Sequence, residues 1–241
     1  MNKYDFKKDN NGDVMEDALF INLDDSLVKI DAVVSDTHFS HKNIAKYTGR
    51  PFDNSETTDA MNEALKDNWN NTVAEDEKVL ALGDMALGNL EQSLQIFSEL
   101  NGEKLLVPGN HDGISTPMKK RYKKIEKFGY DAMYEQYFTI LPETGIELVA
   151  VIDGAWYDGV ASHYPPFVDF GNVQQDRFSD LRPALPDVYG FVLHGHTHSH
   201  DVLQEGFPNV FHMGVDAHGL SPVRSSTVLT MMKEYLRTIE E

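Results

Sequence analysis

Four short runs rich in Val, Leu and Ala interrupt the polar texture of the chain: "IDAVVSD" (Ile30–Asp36), "KVLALGD" (Lys78–Asp84), "KLLVPGN" (Lys104–Asn110) and "YGFVLHG" (Tyr189–Gly195). Continuous apolar runs of this length, closed by turn residues, predict buried strands. Helical spacing fills the gaps between the first three. "TDAMNEALKDNW" (Thr58–Trp69) sets Met61, Leu65 and Trp69 on one face, and "NLEQSLQIFSEL" (Asn89–Leu100) does the same with Leu90, Leu94 and Phe97. Strand, helix, strand, helix, strand predicts a layered α/β fold. Further on, "YEQYFTIL", "GIELVAVID" and "YDGVASHYP" predict a β meander turning at Pro142–Gly145 and near Asp153–Gly154. In the tail, Val228, Met232, Tyr235 and Ile239 recur at helical spacing behind Ser225 or Ser226 as N-cap. Residues 1–26 are polar, acidic and weakly patterned, which predicts an N-terminal extension with a short ordered piece at "ALFINL" (Ala18–Leu23). Residues 27–241 are expected to form one domain, since no repeat or low-complexity linker divides them.

Composition narrows the chemistry. The 241 residues are 41% hydrophobic and 25% charged, an ordinary globular mix. With no cysteine, disulfides and thiolate ligands are excluded, so any metal must be held by His, Asp, Glu, Asn or backbone. The start "MNKYDFKKDNNGDVMEDALF" lacks an apolar signal core, and no stretch approaches the ~20 apolar residues of a membrane helix. A cytoplasmic protein without membrane association is expected. The net charge is −18, from 21 Lys+Arg against 39 Asp+Glu. Such a surface repels polyanions and argues against coating duplex DNA. It leaves room for a small phosphorylated substrate, because metal ions in a cleft reverse the local field.

The apolar runs end in residues that packing does not explain. "AVVSDTH" ends in Asp36 and His38, "LALGD" in Asp84, "LLVPGNHD" in Asn110, His111 and Asp112, "GVASHYP" in His163, and "FVLHGHTH" in His196 and His198. Singly, such residues are turn formers, caps or satisfied polar groups. Jointly they place carboxylates, imidazoles and an amide at the C-terminal ends of five strands, where open α/β sheets form their ligand crevice.

The set Asp36-x-His38, Gly83-Asp84, Gly109-Asn110-His111-Asp112, His163 and Gly195-His196-x-His198 resembles that of the calcineurin-like metallophosphoesterases. "DTHFSHKNIAKYTGRPF" (Asp36–Phe52) brings it nearest to the compact phage and bacterial members. The resemblance implies an α/β/β/α four-layer sandwich with two divalent metal ions at one edge. It assigns Asp36, His38 and His198 to one metal, Asn110, His163 and His196 to the other, and Asp84 to both. A carboxylate has two oxygens and can touch two cations, whereas a neutral imidazole offers one lone pair. His111 is implied as general acid, and the reaction as in-line attack of metal-bound hydroxide on phosphorus. Nitrogen and oxygen ligands without sulfur suit Mn²⁺, Fe or Zn²⁺ without choosing among them, and Mn²⁺ is the expected ion.

Several readings stay open at this level. Asp112 either orients His111 or caps the following segment. Arg50 either clamps a phosphate oxygen or forms a structural ion pair. His41 either supports a ligand or sits at a helix start. Within "VLHGHTHSH" (Val192–His200), Gly195 is expected to permit a turn that sends His196 and His198 to different metals. His194 is expected to support a ligand or substrate, and His200 to face solvent. "HYPPFVDF" (His163–Phe170) offers aromatics to a substrate pocket, while His212 and His218 have no assignment. "MKKRYKKIEKF" (Met118–Phe128) carries six of the 21 basic residues, as a solvated helix face or a rim that guides a nucleotide. Met85-Ala86-Leu87-Gly88 replaces the Asp-Arg-Gly triplet of the protein Ser/Thr phosphatases, which argues against that class. The expected function is hydrolysis of phosphodiester or phosphomonoester bonds in a small, nucleotide-type substrate. The rivals are a nuclease acting on nucleic-acid ends and a non-catalytic metal-binding scaffold.

Overall fold

The computed structural model describes residues 16–24, 26–52, 57–116, 121–167, 178–188 and 190–240. In chain order the elements are β1 (Ala18–Leu23), β2 (Ser26–Ile30), β3 (Ala32–Val34), α1 (Ile44–Thr48), α2 (Asp59–Thr72), β4 (Lys78–Ala81), α3 (Leu90–Gln95), β5 (Glu103–Leu106), α4 (Arg121–Phe128), α5 (Tyr130–Glu135), β6 (Thr139–Ile140), β7 (Ile146–Ile152), β8 (Ala155–Ser162), β9 (Phe191–His194), β10 (Leu203–Gln204), β11 (Phe207–His212), β12 (Val223–Arg224) and α6 (Ser225–Glu240). They build two sheets. One has seven strands in the order β10-β11-β9-β8-β7-β1-β2, the other five in the order β12-β3-β4-β5-β6.

The apolar runs are strands because both of their faces are covered. On β4, Leu80 faces the seven-stranded sheet with Val33 and Leu105, while Val79 and Ala81 face the helices with Met61, Leu65, Trp69 and Phe97. Burying each Val, Leu, Met or Phe side chain among them contributes roughly 1.5–3 kcal/mol. Helix α6 lays Val228, Leu229, Met232 and Leu236 into the inter-sheet core, with Tyr235 and Ile239 packed at its margin. Helices, two stacked sheets and α6 against β1, β7 and β11 give the expected mixed α/β sandwich.

Strands β3, β4 and β5 run parallel, and so do β8 and β9. Their C-terminal ends therefore leave each sheet on one side, which is what gathers the polar residues.

Some local expectations change. "YEQYFTIL" is not a meander strand: Tyr134 and Glu135 end helix α5, and β6 pairs in parallel with β5 in the other sheet. Only β7 and β8 form the hairpin, turning through Asp153 (φ 50°) and Gly154 (φ 79°). "ALFINL" does more than add order to an extension. As β1 it pairs with both β2 and β7, with Leu19 and Ile21 fully buried, so the boundary expected at residue 26 falls inside the β1–β2 hairpin. Residues 1–15 of that extension lie outside the described residues. Ser225 opens α6, and its hydroxyl donates to the Ile30 carbonyl instead of capping the helix. No helix among the described residues is long and apolar enough to cross a membrane.

Candidate metal centre

Beyond the strand ends the backbone continues the ladder, and this ties the motif turns to one another. Asp36 N donates to Gly83 O, His38 N to Asp84 O, and Gly195 N to His163 O, each at 3.0 Å. Among the described residues nine non-glycines have positive φ, and five of them are Asp36 (58°), His38 (51°), Asp84 (55°), His196 (73°) and His198 (52°). Each left-handed non-glycine costs on the order of 1–3 kcal/mol, and such strain collects where a site must be held in shape.

The predicted side chains converge. His38 Nε2 and His198 Nε2 lie 3.1 Å apart, and Asp36 Oδ1 lies 3.9 Å from the latter. Asn110 Oδ1 is 3.1 Å from His163 Nε2, which is 3.3 Å from His196 Nδ1. Asp84 Oδ2 stands between the groups, 3.7 Å from His38 Nε2 and 3.6 Å from His163 Nε2. Two sets of candidate ligand atoms, Asp36/His38/His198 and Asp36/Asp84/His163, each fit within 4.8 Å.

The ring nitrogens behind these contacts select which lone pairs face inward. His163 Nδ1 donates to Leu82 O (2.7 Å), and His198 Nδ1 lies 2.8 Å from Asp216 Oδ2. In the neutral rings both Nε2 atoms are therefore left as acceptors. Burial holds the imidazoles of His38, His163 and His196 below their ordinary pKa, which favours the neutral form that ligates metal. Burial, with the charges of Asp112 and Asp36, pushes the Asp84 carboxyl well above the carboxylate range. Asp36 Oδ1 is buried with no hydrogen-bond partner. Acceptors facing acceptors, beside buried and mutually repelling carboxylates, form a donor set that fits divalent cations.

His111 donates its backbone N–H to Asp84 Oδ1 at 2.7 Å and leaves its side chain exposed at the rim, 5.5 Å between ring centroids from His38. A small pocket of about 60 Å³ adjoins it, lined by Leu87, Leu90, Gly113 and Tyr130 among others. His41 lies on the same side, 5.3 Å from the His38 ring.

The structure corrects the expectations for Asp112 and Gly195 and sharpens those for Arg50 and His200. Asp112 is not turned toward the His111 ring: its oxygens accept from the N–H groups of Asp84, Met85 and Gly109 and from Tyr134 Oη, locking two motif turns together. Arg50 is buried, and its guanidinium is spent on Asp216, the Asp36 and Thr37 carbonyls and Met61 Sδ, with no donor left for a substrate. Gly195 does not supply the turn, which His196 and His198 take. A Cβ on Gly195 would instead stand 1.9 Å from Ser35 Oγ and 2.5 Å from Asp36 Oδ2, so glycine is needed for close approach. His200 is exposed but not idle, with Nε2 2.8 Å from Thr48 O and Nδ1 3.2 Å from Asp216 O.

His194 is buried and bonds Gly195 O, so it braces the turn that carries His196. His212 lies behind Asp36: a Cβ on Gly214 would meet both His212 Nε2 and Asp36 Oδ2. His218 donates to the His212 carbonyl. In the basic segment, Lys123 and Lys127 are exposed, and residues 118–120 lie outside the described residues. Of "HYPPFVDF", Tyr164 packs on His196 and Phe167 on His194, while residues 168–170 also lie outside them. Asp216 was missed by motif reading. Its signal is present in "VFHMGVD", another apolar run ending in Gly and Asp.

Residues 32–200 match the family of calcineurin-like phosphoesterases. An uncharacterized protein of Methanocaldococcus jannaschii is 40% identical over 103 residues, 42% of this chain, which spans about half of that relative (54%). The gene 66 protein of Mycobacterium phage L5 is 30% identical over 189 residues, 77% of this chain and 86% of the phage protein. Among solved structures, a protein of unknown function from Aquifex aeolicus shares the fold at a TM-score of 0.55 and 20% identity, over 82% of this chain and 96% of that one. The chain belongs to the calcineurin-like phosphoesterases, hydrolases that act on phosphoric esters.

Proposed function

We propose that this calcineurin-like phosphoesterase uses two divalent cations to hydrolyse a phosphodiester or phosphomonoester bond in a small, nucleotide-type substrate. The observation that carries the reading is the convergence of His38 Nε2 and His163 Nε2 on Asp84 Oδ2, with His198 Nε2 beside His38 Nε2. Asp36, His38 and His198 would hold one cation, Asn110, His163 and His196 the other, and Asp84 both. The nitrogen and oxygen set suits Mn²⁺, Fe or Zn²⁺, and Mn²⁺ is the ion we propose. When bound, the pair supplies Lewis acidity toward phosphoryl oxygens and an activated water.

The rest belongs to the chain. His111, held at the rim by its N–H bond to Asp84, carries its imidazole where it can protonate the departing oxygen. The adjoining pocket receives the group attached to that oxygen. A nucleotide is favoured over other phosphate esters by what borders the pocket. Lys127 lies 5.0 Å over the Phe128 ring, and Phe128 stacks on Tyr130, which lines it. A cation beside stacked rings is a surface that accepts a base and its phosphate. The net charge of −18 disfavours duplex nucleic acid as the substrate.

The test is a Mn²⁺-supplemented screen of a generic phosphodiester, a phosphomonoester, cyclic nucleotides and oligonucleotides. Turnover that needs metal and prefers a nucleotide is expected. Metal-independent turnover, or none on any ester, would sink the proposal.

A further inference from the structure

Arg50 and Asp216 form a buried pair that no motif predicts. Arg50 Nε meets Asp216 Oδ1 at 2.7 Å and Nη2 meets Oδ2 at 3.1 Å, with both side chains at most 1% exposed. A buried bidentate pair of this kind is seldom a stability device, because burying both ions costs about as much as their attraction returns. Its remaining contacts point to another role. Asp216 Oδ2 takes the Nδ1 hydrogen of His198 at 2.8 Å. Arg50 reaches the carbonyls of Asp36 (2.8 Å) and Thr37 (2.9 Å), inside the turn whose residues Asp36 and His38 are left-handed. The His200 ring lies between Asp216 O (3.2 Å) and Thr48 O (2.8 Å), which places the loop carrying Asp216 beside the helix just before Arg50.

We propose that Arg50 and Asp216 are positioning residues that preset the half-site of Asp36, His38 and His198. Asp216 holds His198 in the Nδ1–H tautomer, so that Nε2 presents its lone pair. Arg50 holds the Asp36–His38 turn by its carbonyls and neutralises Asp216. Through one guanidinium, residues 36, 38, 198 and 216 become a single rigid unit. The inference rests on the ligand assignment proposed above, but it concerns residues that would touch neither cation nor substrate.

Asp216→Asn keeps the shape, and Arg50→Met/Asp216→Leu removes both charges together so that neither is left buried alone. Two measurements follow on the full chain. In calorimetric titration with Mn²⁺, each variant should bind one of its two cations about 10–100-fold more weakly than wild type. In ¹⁵N spectra of the metal-free protein at pH 9, wild-type His198 should be the Nδ1–H tautomer, and Asp216→Asn should show a substantial Nε2–H population. A merely structural pair would lower the unfolding midpoint without moving the tautomer. Wild-type affinity for both cations together with an unmoved tautomer in Asp216→Asn overturns the proposal. A wild-type chain that binds no Mn²⁺ sinks the metal-centre reading instead, and the tautomer then decides by itself whether Asp216 positions His198.

Discussion

At their N-terminal ends β3, β4 and β5 meet Asp31, Lys78 and Lys104, and at their C-terminal ends they meet Asp36, Asp84 and Asn110. The first group is closed upon protein. Asp31 Oδ2 accepts from Lys78 N at 3.0 Å, Lys78 Nζ pairs with Glu103, and Lys104 Nζ donates to the carbonyls of Leu100 (2.6 Å) and Gly102 (2.8 Å). The second group is closed only in part. Asp36 Oδ1 has no partner, Asp84 Oδ2 faces two imidazoles at 3.6 and 3.7 Å, and Asp36 and Asp84 are left-handed. The same sheet thus ends in satisfied polar groups on one side and held-apart ones on the other. Local strain and repulsion are tolerated at the candidate metal centre, and the well-packed strands between the two ends supply the stability that allows it.

Asp84→Asn tests that contrast most severely. Metal content and turnover should both fall to background, measured by elemental analysis and ester hydrolysis. The metal-free variant should nevertheless be more stable than the metal-free wild type. Asp84 is raised in the folded state by burial and by Asp112 and Asp36, so its ionisation costs stability as pH rises through that raised pKa. The amide carries no such cost. An apo variant that unfolds at lower denaturant than wild type at pH 8 would show that Asp84 is held by ordinary stabilising contacts, and the contrast between the two ends would fail.

His111→Ala comes next. Turnover on an ester with a poor leaving group should fall about 10²–10⁴-fold, the usual worth of a general acid. Metal content should not change, since only the backbone of His111 touches Asp84. Near wild-type rates on that ester would remove the acid role.

The strand ends were legible because their signal is local: an apolar run followed at once by Asp, Asn or His. Asp36, His38, Asp84, Asn110, His163, His196 and His198 all announce themselves in this way and meet in space. What escaped needs distance. Arg50 sits 166 residues from the carboxylate it binds, and that pairing depends on the Ser35–Gly214 bridge between separate parts of the chain. Asp112 adjoins His111 in sequence, which suggested that it orients that ring or caps the next segment, yet its side chain goes to the backbone of a neighbouring turn. β6 was drawn into the meander by its sequence neighbours, although its partner β5 lies 34 residues back in the other sheet.

Gly195→Ala separates close approach from turn formation, with a smaller effect. A methyl there meets Ser35 Oγ and Asp36 Oδ2 below contact distance, which should cost about 1–3 kcal/mol as overpacking, read from urea unfolding. Retained stability would mean that the turn shifts to admit the methyl and that close approach does not require glycine there.

The smallest effect belongs to the opposite end, where the contrast predicts stability without function. Burial lowers the Lys104 ammonium to about 8, and no motif residue touches it. An unfolded lysine titrates near ~10.4. Between those values the unfolded chain binds the extra proton, so wild type gains stability as pH rises from 8 to about 10.4, and below 8 that gain is absent. Because the ammonium keeps some water, the gain should be on the order of 1–2 kcal/mol. It is read as the difference between wild type and Lys104→Met, which cancels other titrations and the constant cost of the two lost hydrogen bonds. Turnover of Lys104→Met should stay at the wild-type value throughout. A variant that lost turnover while keeping its fold would tie the closed end of the sheet to the chemistry at the open one, which the separate bonding of the two ends denies.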